Sequence, residues 1–325
     1  MGNLSANCKG CDSAKEEENQ EIKAELRDIG EQDPITRSKV IFEKHLEKKG
    51  KILKNKKIED ILNSINPQAT KISLPEDIIK TKKPDTFNES IIEFSNGEIY
   101  KGNWNNNNQR DGYGININPD GEIYMGLWNN DQIGDFGAFF DNEGNYYVGK
   151  LVNGKGNGEG ELFLFNKVKY IGNFIDDIPN GKGKMISLLD GSEYEGDIVE
   201  GKKEGKGILK FKDGTVYEGD FKDDNFNGYG ILNFYNGRKY EGNFKEGKMD
   251  GNGKFTWEDG KIYIGDYVND KKHGKGKLMW NNDKYYEGSW VNNKQHGEGM
   301  YYLNGKVLKG QFRFGKIITK NEEKI

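Results

Sequence analysis

Residues 217–230 read Tyr-Glu-Gly-Asp-Phe-Lys-Asp-Asp-Asn-Phe-Asn-Gly-Tyr-Gly, and residues 240–253 read Tyr-Glu-Gly-Asn-Phe-Lys-Glu-Gly-Lys-Met-Asp-Gly-Asn-Gly. With the tyrosine as position 0, both stretches carry Gly at position 2, Phe at position 4 and Gly at positions 11 and 13. The same frame extends outward in both directions. Its anchors are Tyr100, Tyr124, Tyr147, Tyr170, Tyr194, Tyr217, Tyr240, Tyr263 and Tyr286, with Leu308 opening a tenth, shorter unit; the spacing stays between 22 and 24 residues. Position 2 is glycine each time: Gly102, Gly126, Gly149, Gly172, Gly196, Gly219, Gly242, Gly265, Gly288 and Gly310. Position 4 is bulky: Trp104, Trp128, Leu151, Phe174, Ile198, Phe221, Phe244, Tyr267, Trp290 and Phe312. A fixed period of this length marks a repeat architecture.

Alternation within the unit predicts strands. Side chains at positions 0, 2 and 4 leave one face, and those at 1 and 3, such as Glu218 and Asp220, leave the other. Positions 11, 13, 15 and 17 form a second strand with glycines and rings on one face, as in Gly228, Gly230, Leu232 and Phe234. Glycine weakens a strand unless something needs the room, so each glycine is expected to let a neighbouring ring lie flat on the backbone. Asn-Gly and Asp-Gly pairs three residues before the anchors, such as Asn96-Gly97, Asp213-Gly214 and Asn236-Gly237, suit type I′ turns. The expected fold is all-β: an elongated antiparallel meander of about ten hairpins, with contacts mainly between neighbours.

Composition agrees. Of 325 residues 45 are glycine, while only 33% are apolar and 31% are charged, too little for one thick core. No run reaches the roughly 20 apolar residues that span a bilayer, and two cysteines cannot staple a chain of this size, which suits an intracellular protein. Net charge is −4, and residues 86–325 carry 32 basic against 37 acidic side chains; nucleic acid, which demands a basic footprint, is not an expected partner.

The Tyr-x-Gly-x-aromatic-(x)2-Gly-(x)3-Gly-x-Gly frame, complete in Tyr147–Gly160, Tyr194–Gly207 and Tyr240–Gly253, resembles the MORN repeat (membrane occupation and recognition nexus) over roughly residues 90–316. Leu151 and Ile198 take the aromatic place in the first two of these. The resemblance implies a twisted single sheet, often dimeric, and roles where membranes meet cytoskeleton, including cilia and cortical structures. It implies no reaction, because catalytic members of the family carry their chemistry in an added domain.

The rest of the chain is expected to comprise a disordered tail (1–15), a charged helical region (16–66), a linker (67–88) and a C-terminal tail (317–325) flanking the repeats at 89–316. Apolar residues from Val40 to Ile65 recur at near-helical spacing, though Gly50 interrupts them. A single sheet with one aromatic face needs a cover, so the 37–65 helices, or a partner's helix, are expected in the aromatic groove. The alternative is that the rings and glycines pack on one another along the sheet and the helices stay free of it.

The sequence Met1-Gly2-Asn3-Leu4-Ser5-Ala6 presents Gly2 for N-myristoylation after removal of Met, although Ala6 replaces the preferred Ser or Thr. Cys8 and Cys11 lie where palmitoylation commonly follows. Stable anchoring takes a second acyl chain or a basic patch, and Lys48 to Lys57, with six lysines in ten residues, is a candidate for the latter. The plain alternative is a solvated tail that happens to begin Met-Gly, with a solvated lysine face.

No catalytic residue, cofactor or metal is expected. A lone Cys8-x-x-Cys11 lacks the four ligands of structural zinc. His273 and His296 both fall at position 10, one repeat and about 10 Å apart, as repeat arithmetic dictates. Each Gly-x-Gly lies inside a hairpin, not between a strand and a helix as a nucleotide loop requires. The sequence therefore predicts a scaffold or tether linking a membrane, through Gly2 acylation, to cytoskeletal or signalling proteins. Two alternatives stay open: a soluble component of a ciliary or cortical assembly, and a regulatory partner of a phosphoinositide-modifying enzyme.

Overall fold

A computed structural model describes residues 51–52, 57–76, 87–105, 107 and 109–324. They fall into two compact units: the first holds residues up to Leu189 with Ile198–Lys202, and the second holds Asp190–Asp197 and the chain from Lys203 onward.

In the first unit, successive strands run up and down from Phe87–Glu93 to Ile178–Ser187, each antiparallel to the next. In the second, the same order continues to Lys316–Lys324. The all-β meander of hairpins expected from the period is what forms. The last strand is a correction to the boundary drawn at 317. Lys316–Lys324 pairs with Lys306–Arg313 rather than trailing away, because the backbone groups of the preceding strand need partners.

Most hairpins carry the same irregularity, while in two others the slip falls at Gly265/Asp266 and Gln311/Phe312. Pairing slips between positions 2 and 4 of the first strand, as at Gly219/Phe221, Gly242/Phe244 and Gly288/Trp290. This bulge leaves position 3 without a register partner in its own hairpin, so its carbonyl is available to a side chain.

Two turn types alternate. Positions 6 and 7 form the left-handed pairs of type I′ turns, such as Asn130 and Asp131 (φ 48° and 68°) or Asp223 and Asp224 (φ 46° and 64°). The sequence placed type I′ turns at the Asn-Gly and Asp-Gly pairs instead. There the glycine alone is left-handed in most hairpins, as at Gly214 (φ 90°), while Asn304 and Gly305 are both positive. Gly214 N–H bonds to Phe211 O (2.9 Å) and Phe211 N–H to Thr215 O (2.8 Å), a type I turn closed by a left-handed glycine.

The region before the repeats differs from expectation. Lys51–Ile52 is a short strand against Ile92 and Glu93, and the described helix spans Ile58–Ile65. Residues 16–50 and 53–56 of the expected helical region lie outside the described residues. Eight residues cannot hold a helix alone in water. Tertiary burial stabilises this one: Ile58 and Leu62 are 2% and 3% exposed, each side chain contributing about 1.5–3 kcal/mol. Residues 67–76 are packed and not an open linker. Ala69 and Leu74 are buried, and Asn66 bonds through Nδ2 to Asp141 O (2.8 Å) and through Oδ1 to Gln68 N–H (2.9 Å).

Candidate interaction surface

The tyrosine face is filled by its own side chains. None of the nine anchor tyrosines is more than 4% exposed. Each donates its hydroxyl to the carbonyl of position 3, the one freed by the bulge: Tyr100 to Asn103 (3.0 Å), Tyr147 to Lys150 (2.7 Å), Tyr217 to Asp220 (2.8 Å) and so on through Tyr286 to Ser289 (3.1 Å). To reach it the ring lies across the glycines. A Cβ on Gly160 would come 2.8 Å from the Tyr147 ring, and one on Gly230 would come 2.5 Å from that of Tyr217. Burial pushes these phenols up, Tyr170 to about 12.

The rings then meet edge to face. Tyr217 packs at 5.1 Å from Phe221 in its own hairpin and at 5.2 Å from Phe244 in the next, with interplanar angles of 90° and 88°. Tyr263 does the same with Tyr267 and Trp290. Such contacts add about 0.5–1.5 kcal/mol each to the area buried. The rings and glycines pack on one another, as the second possibility had it, but the Ile58–Ile65 helix does not stay free of the sheet.

Position 9 caps the ladder and was not singled out in the sequence. Arg110, displaced by the one extra residue of the first unit, lies 4.1 Å above Trp128, Phe226 stacks at 3.7 Å on Tyr217, and Lys203 sits over Tyr194. Lys272 stands among Trp257, Tyr263 and Trp290 at 5.1–5.6 Å. Desolvation there, helped by Lys261, lowers its ammonium to about 8. The backbone of position 9 is pinned from the following hairpin by position 7. Asp131, Asp177, Asp224 and Asp270 accept the N–H of residues 110, 156, 203 and 249 at 2.5–2.9 Å. Burial raises the Asp270 carboxyl. The recurrence of Asp at position 7, 21 residues after each of these N–H donors, was the available signal.

The opposite face varies along the chain. In the first unit one row across the strands reads Ile99, Ile117, Ile123, Phe140, Tyr146, Phe163, then Lys169 and Ile186. The row beside it reads Ile115, Met125, Ala138, Val148, then Glu161, Ile171 and Lys184. Ile58, Leu62, Ala69 and Leu74 bury themselves on the apolar parts of these two rows. The helix therefore lies on the face opposite the tyrosines, correcting the expectation that it would fill an aromatic groove. Ring packing leaves that groove closed, whereas the second face offers an unbroken apolar row from Ile99 to Phe163. In the second unit the same two rows are mixed, with Val216, Asn233, Lys239 and Thr256 in one and Glu218, Ile231, Glu241 and Lys254 in the other, before Ile262 and Ile264.

Among the described residues no group of three His, Cys, Asp or Glu side chains could hold a metal, and no helix is long and apolar enough to cross a membrane. Gly2, Cys8, Cys11 and the 1–15 tail lie outside the described residues.

These features define a β-hairpin repeat protein whose one face is structural and whose other face is variable. The MORN repeat model matches residues 100–122, 170–187, 194–216, 217–237, 240–262, 263–284 and 286–306, and the chain belongs to the MORN-repeat family. No curated protein matches it. Among solved structures it is similar to the TCP10 domain of Danio rerio CPAP (11% identity, 72% of this chain and 99% of that one, TM-score 0.33). It is also similar to the SAS-4 TCP domain of Drosophila melanogaster, solved with a proline-rich motif of Ana2 (13% identity, 55% and 85% covered, TM-score 0.29). A streptogramin B lyase aligns at 11% identity over 67% of this chain and 70% of that one, with a TM-score of 0.14. Likenesses of this size carry no argument about function.

Proposed function

We propose that this protein is a non-catalytic scaffold that holds protein partners on the outer face of its hairpins and is tethered to the cytoplasmic side of a membrane by acylation of Gly2 and of Cys8 or Cys11. One observation carries the scaffold reading. The tyrosine, glycine and position-4 side chains are consumed by packing, with no anchor tyrosine above 4% exposure, while the outer rows change from hairpin to hairpin. A constant inside and a variable outside are what a binding array needs, and the outer face is where partners can be told apart. The tether rests on the N-terminal residue pattern, since one myristoyl chain needs a second signal for stable anchoring.

Metabolic labelling with a myristate analogue tests the tether. Label on the wild-type chain, lost in Gly2→Ala together with movement into the soluble fraction, is the expected result. Unlabelled wild type with unchanged fractionation refutes the tether and turns the reading towards a soluble component of a ciliary or cortical assembly. Untagged co-purification with mass spectrometry tests the scaffold: stoichiometric protein partners are expected, and a chain that purifies alone counts against it.

A further inference from the structure

Position 9 places a cation among rings at Arg110, Lys203 and Lys272, and the first two are given a carboxylate. Arg110 Nε meets Asp131 Oδ1 at 3.2 Å, and Lys203 Nζ meets Asp224 Oδ1 at 3.5 Å. In both, the carboxylate stands at position 7 of the following hairpin and also accepts the backbone N–H of the cationic residue. Beside Lys272 the same place is held by Asn293. Its Oδ1 accepts the Lys272 N–H at 2.8 Å, so the backbone bond is kept and the counter-ion is not. Among the described residues no carboxylate pairs with the Lys272 ammonium.

Its surroundings are aromatic instead. Trp257 of the preceding hairpin, Tyr263 of its own and Trp290 of the next hold their ring centres 5.1, 5.5 and 5.6 Å from Nζ. Of the titratable groups packed around it, Tyr263 and Tyr267 are phenols kept neutral by burial. Lys261 lies over the same Trp257 ring at 5.2 Å, is itself paired with Asp259 at 3.2 Å, and repels a second ammonium.

Ring faces attract an ammonium at this range, but the same rings take away its water. Burial without a counter-ion favours the uncharged amine, in keeping with the lowering of Lys272 to about 8. A lysine desolvated among apolar groups is an activated nucleophile, and Lys272 is only partly buried.

We propose that Lys272 is a modification site that takes a small acyl group from a thioester. The neutral Nζ attacks the thioester carbonyl carbon. The N–C bond forms as the C–S bond breaks, and the departing thiolate takes up the proton that nitrogen sheds. The product amide carries no charge, which suits a place lined by three rings and lacking a carboxylate.

The proposal goes beyond the scaffold reading and does not rest on it. In the test the full chain is incubated with acetyl coenzyme A between pH 7 and 9.5, with Nα-acetyl-lysine in the same tube, and peptide mass spectrometry follows acetylation. At pH 7.5 Lys272 should react roughly threefold faster or more than Nα-acetyl-lysine and than Lys203, because more of it is neutral. Its rate should level off above about pH 8.5, while that of the free amino acid, with an ordinary amine near about 10.4, keeps rising about tenfold per unit. Asn293→Asp supplies the missing carboxylate at a position where Asp131, Asp177, Asp224 and Asp270 already stand in other hairpins. It should slow Lys272 by roughly threefold or more, with the circular dichroism spectrum unchanged. The absence of acetyl on Lys272 overturns the proposal, as does a rate at pH 7.5 no greater than that of Nα-acetyl-lysine. A rate still climbing tenfold per unit at pH 9.5, or one unchanged in Asn293→Asp, overturns it equally. Partner co-purification is untouched by any of these outcomes, so the scaffold reading stands or falls separately.

Discussion

The hairpins between Tyr100 and Phe163 and those between Val216 and Thr256 share one face and differ on the other. On the shared face both show a tyrosine over glycine, hydroxyl to the bulged carbonyl, ring against ring. On the other face the first region buries Ile115, Ile117, Ile123 and Met125 beneath a helix, while the second carries Asn233, Lys239, Glu241 and Lys254, of which Asn233 and Lys254 are exposed. A repeat protein thus separates two tasks. The part of the frame that makes neighbouring hairpins adhere must recur, and the part that faces outward is free to differ.

The largest effect should come from attacking the shared face everywhere at once. The anchor phenols are raised above their ordinary value by burial. A raised acid leaves stability intact below its unfolded pKa of about 10, and that stability is lost as pH climbs through the folded value. Unfolding followed by far-ultraviolet circular dichroism should therefore set in steeply above pH 10, together with tyrosinate absorbance. Phenols that ionise near pH 10 in a still-folded chain would contradict the buried ladder.

A single break comes next. Gly230→Val puts a branched side chain into the space of the Tyr217 ring, where even a Cβ lies 2.5 Å away; about 3 kcal/mol or more should be lost. Denaturant melts of this variant and of Gly237→Ala, a turn glycine with open surroundings, would separate ring clash from backbone strain.

The covered outer face is probed by Leu62→Ala, which should cost about 2–5 kcal/mol. That loss should appear as faster deuterium uptake over residues 57–76 and 115–125, with the second unit unchanged. Uniform uptake across both units would mean that the helix cover is not a local feature. The open outer face should scarcely respond. Glu241→Ala removes a half-buried partner of Lys239 (3.1 Å), and at most about 0.5 kcal/mol should change. A loss above 2 kcal/mol would erase the distinction between the faces.

Much of this was legible in advance. The Tyr, Gly and position-4 anchors sit where the period placed them, and the glycines do make room for rings. The polar positions 1 and 3 of middle hairpins, such as Glu218 and Asp220, point a covering helix to the aromatic face, which is the wrong one. Ile123, Met125, Tyr146 and Val148, at positions −1 and 1 of the early hairpins, carried the contrary signal. The Asp position-7 bond was obscured by the abundance of carboxylates, since only three-dimensional pairing shows which one meets a buried N–H. Type I′ geometry was placed at Asn-Gly, while the two-residue turn at positions 6 and 7 tolerates Asn, Asp, Glu and Gly alike.

The sequence by itself determined the period, the strand alternation and the anchor set, because those follow from local spacing and from what each residue type needs. Which face the helix would cover, and whether the rings required any cover at all, was decided only by tertiary structure. Both depend on energies between side chains far apart in the chain: edge-to-face ring packing that leaves no wet groove, and an apolar area on the second face large enough to hold eight residues helical.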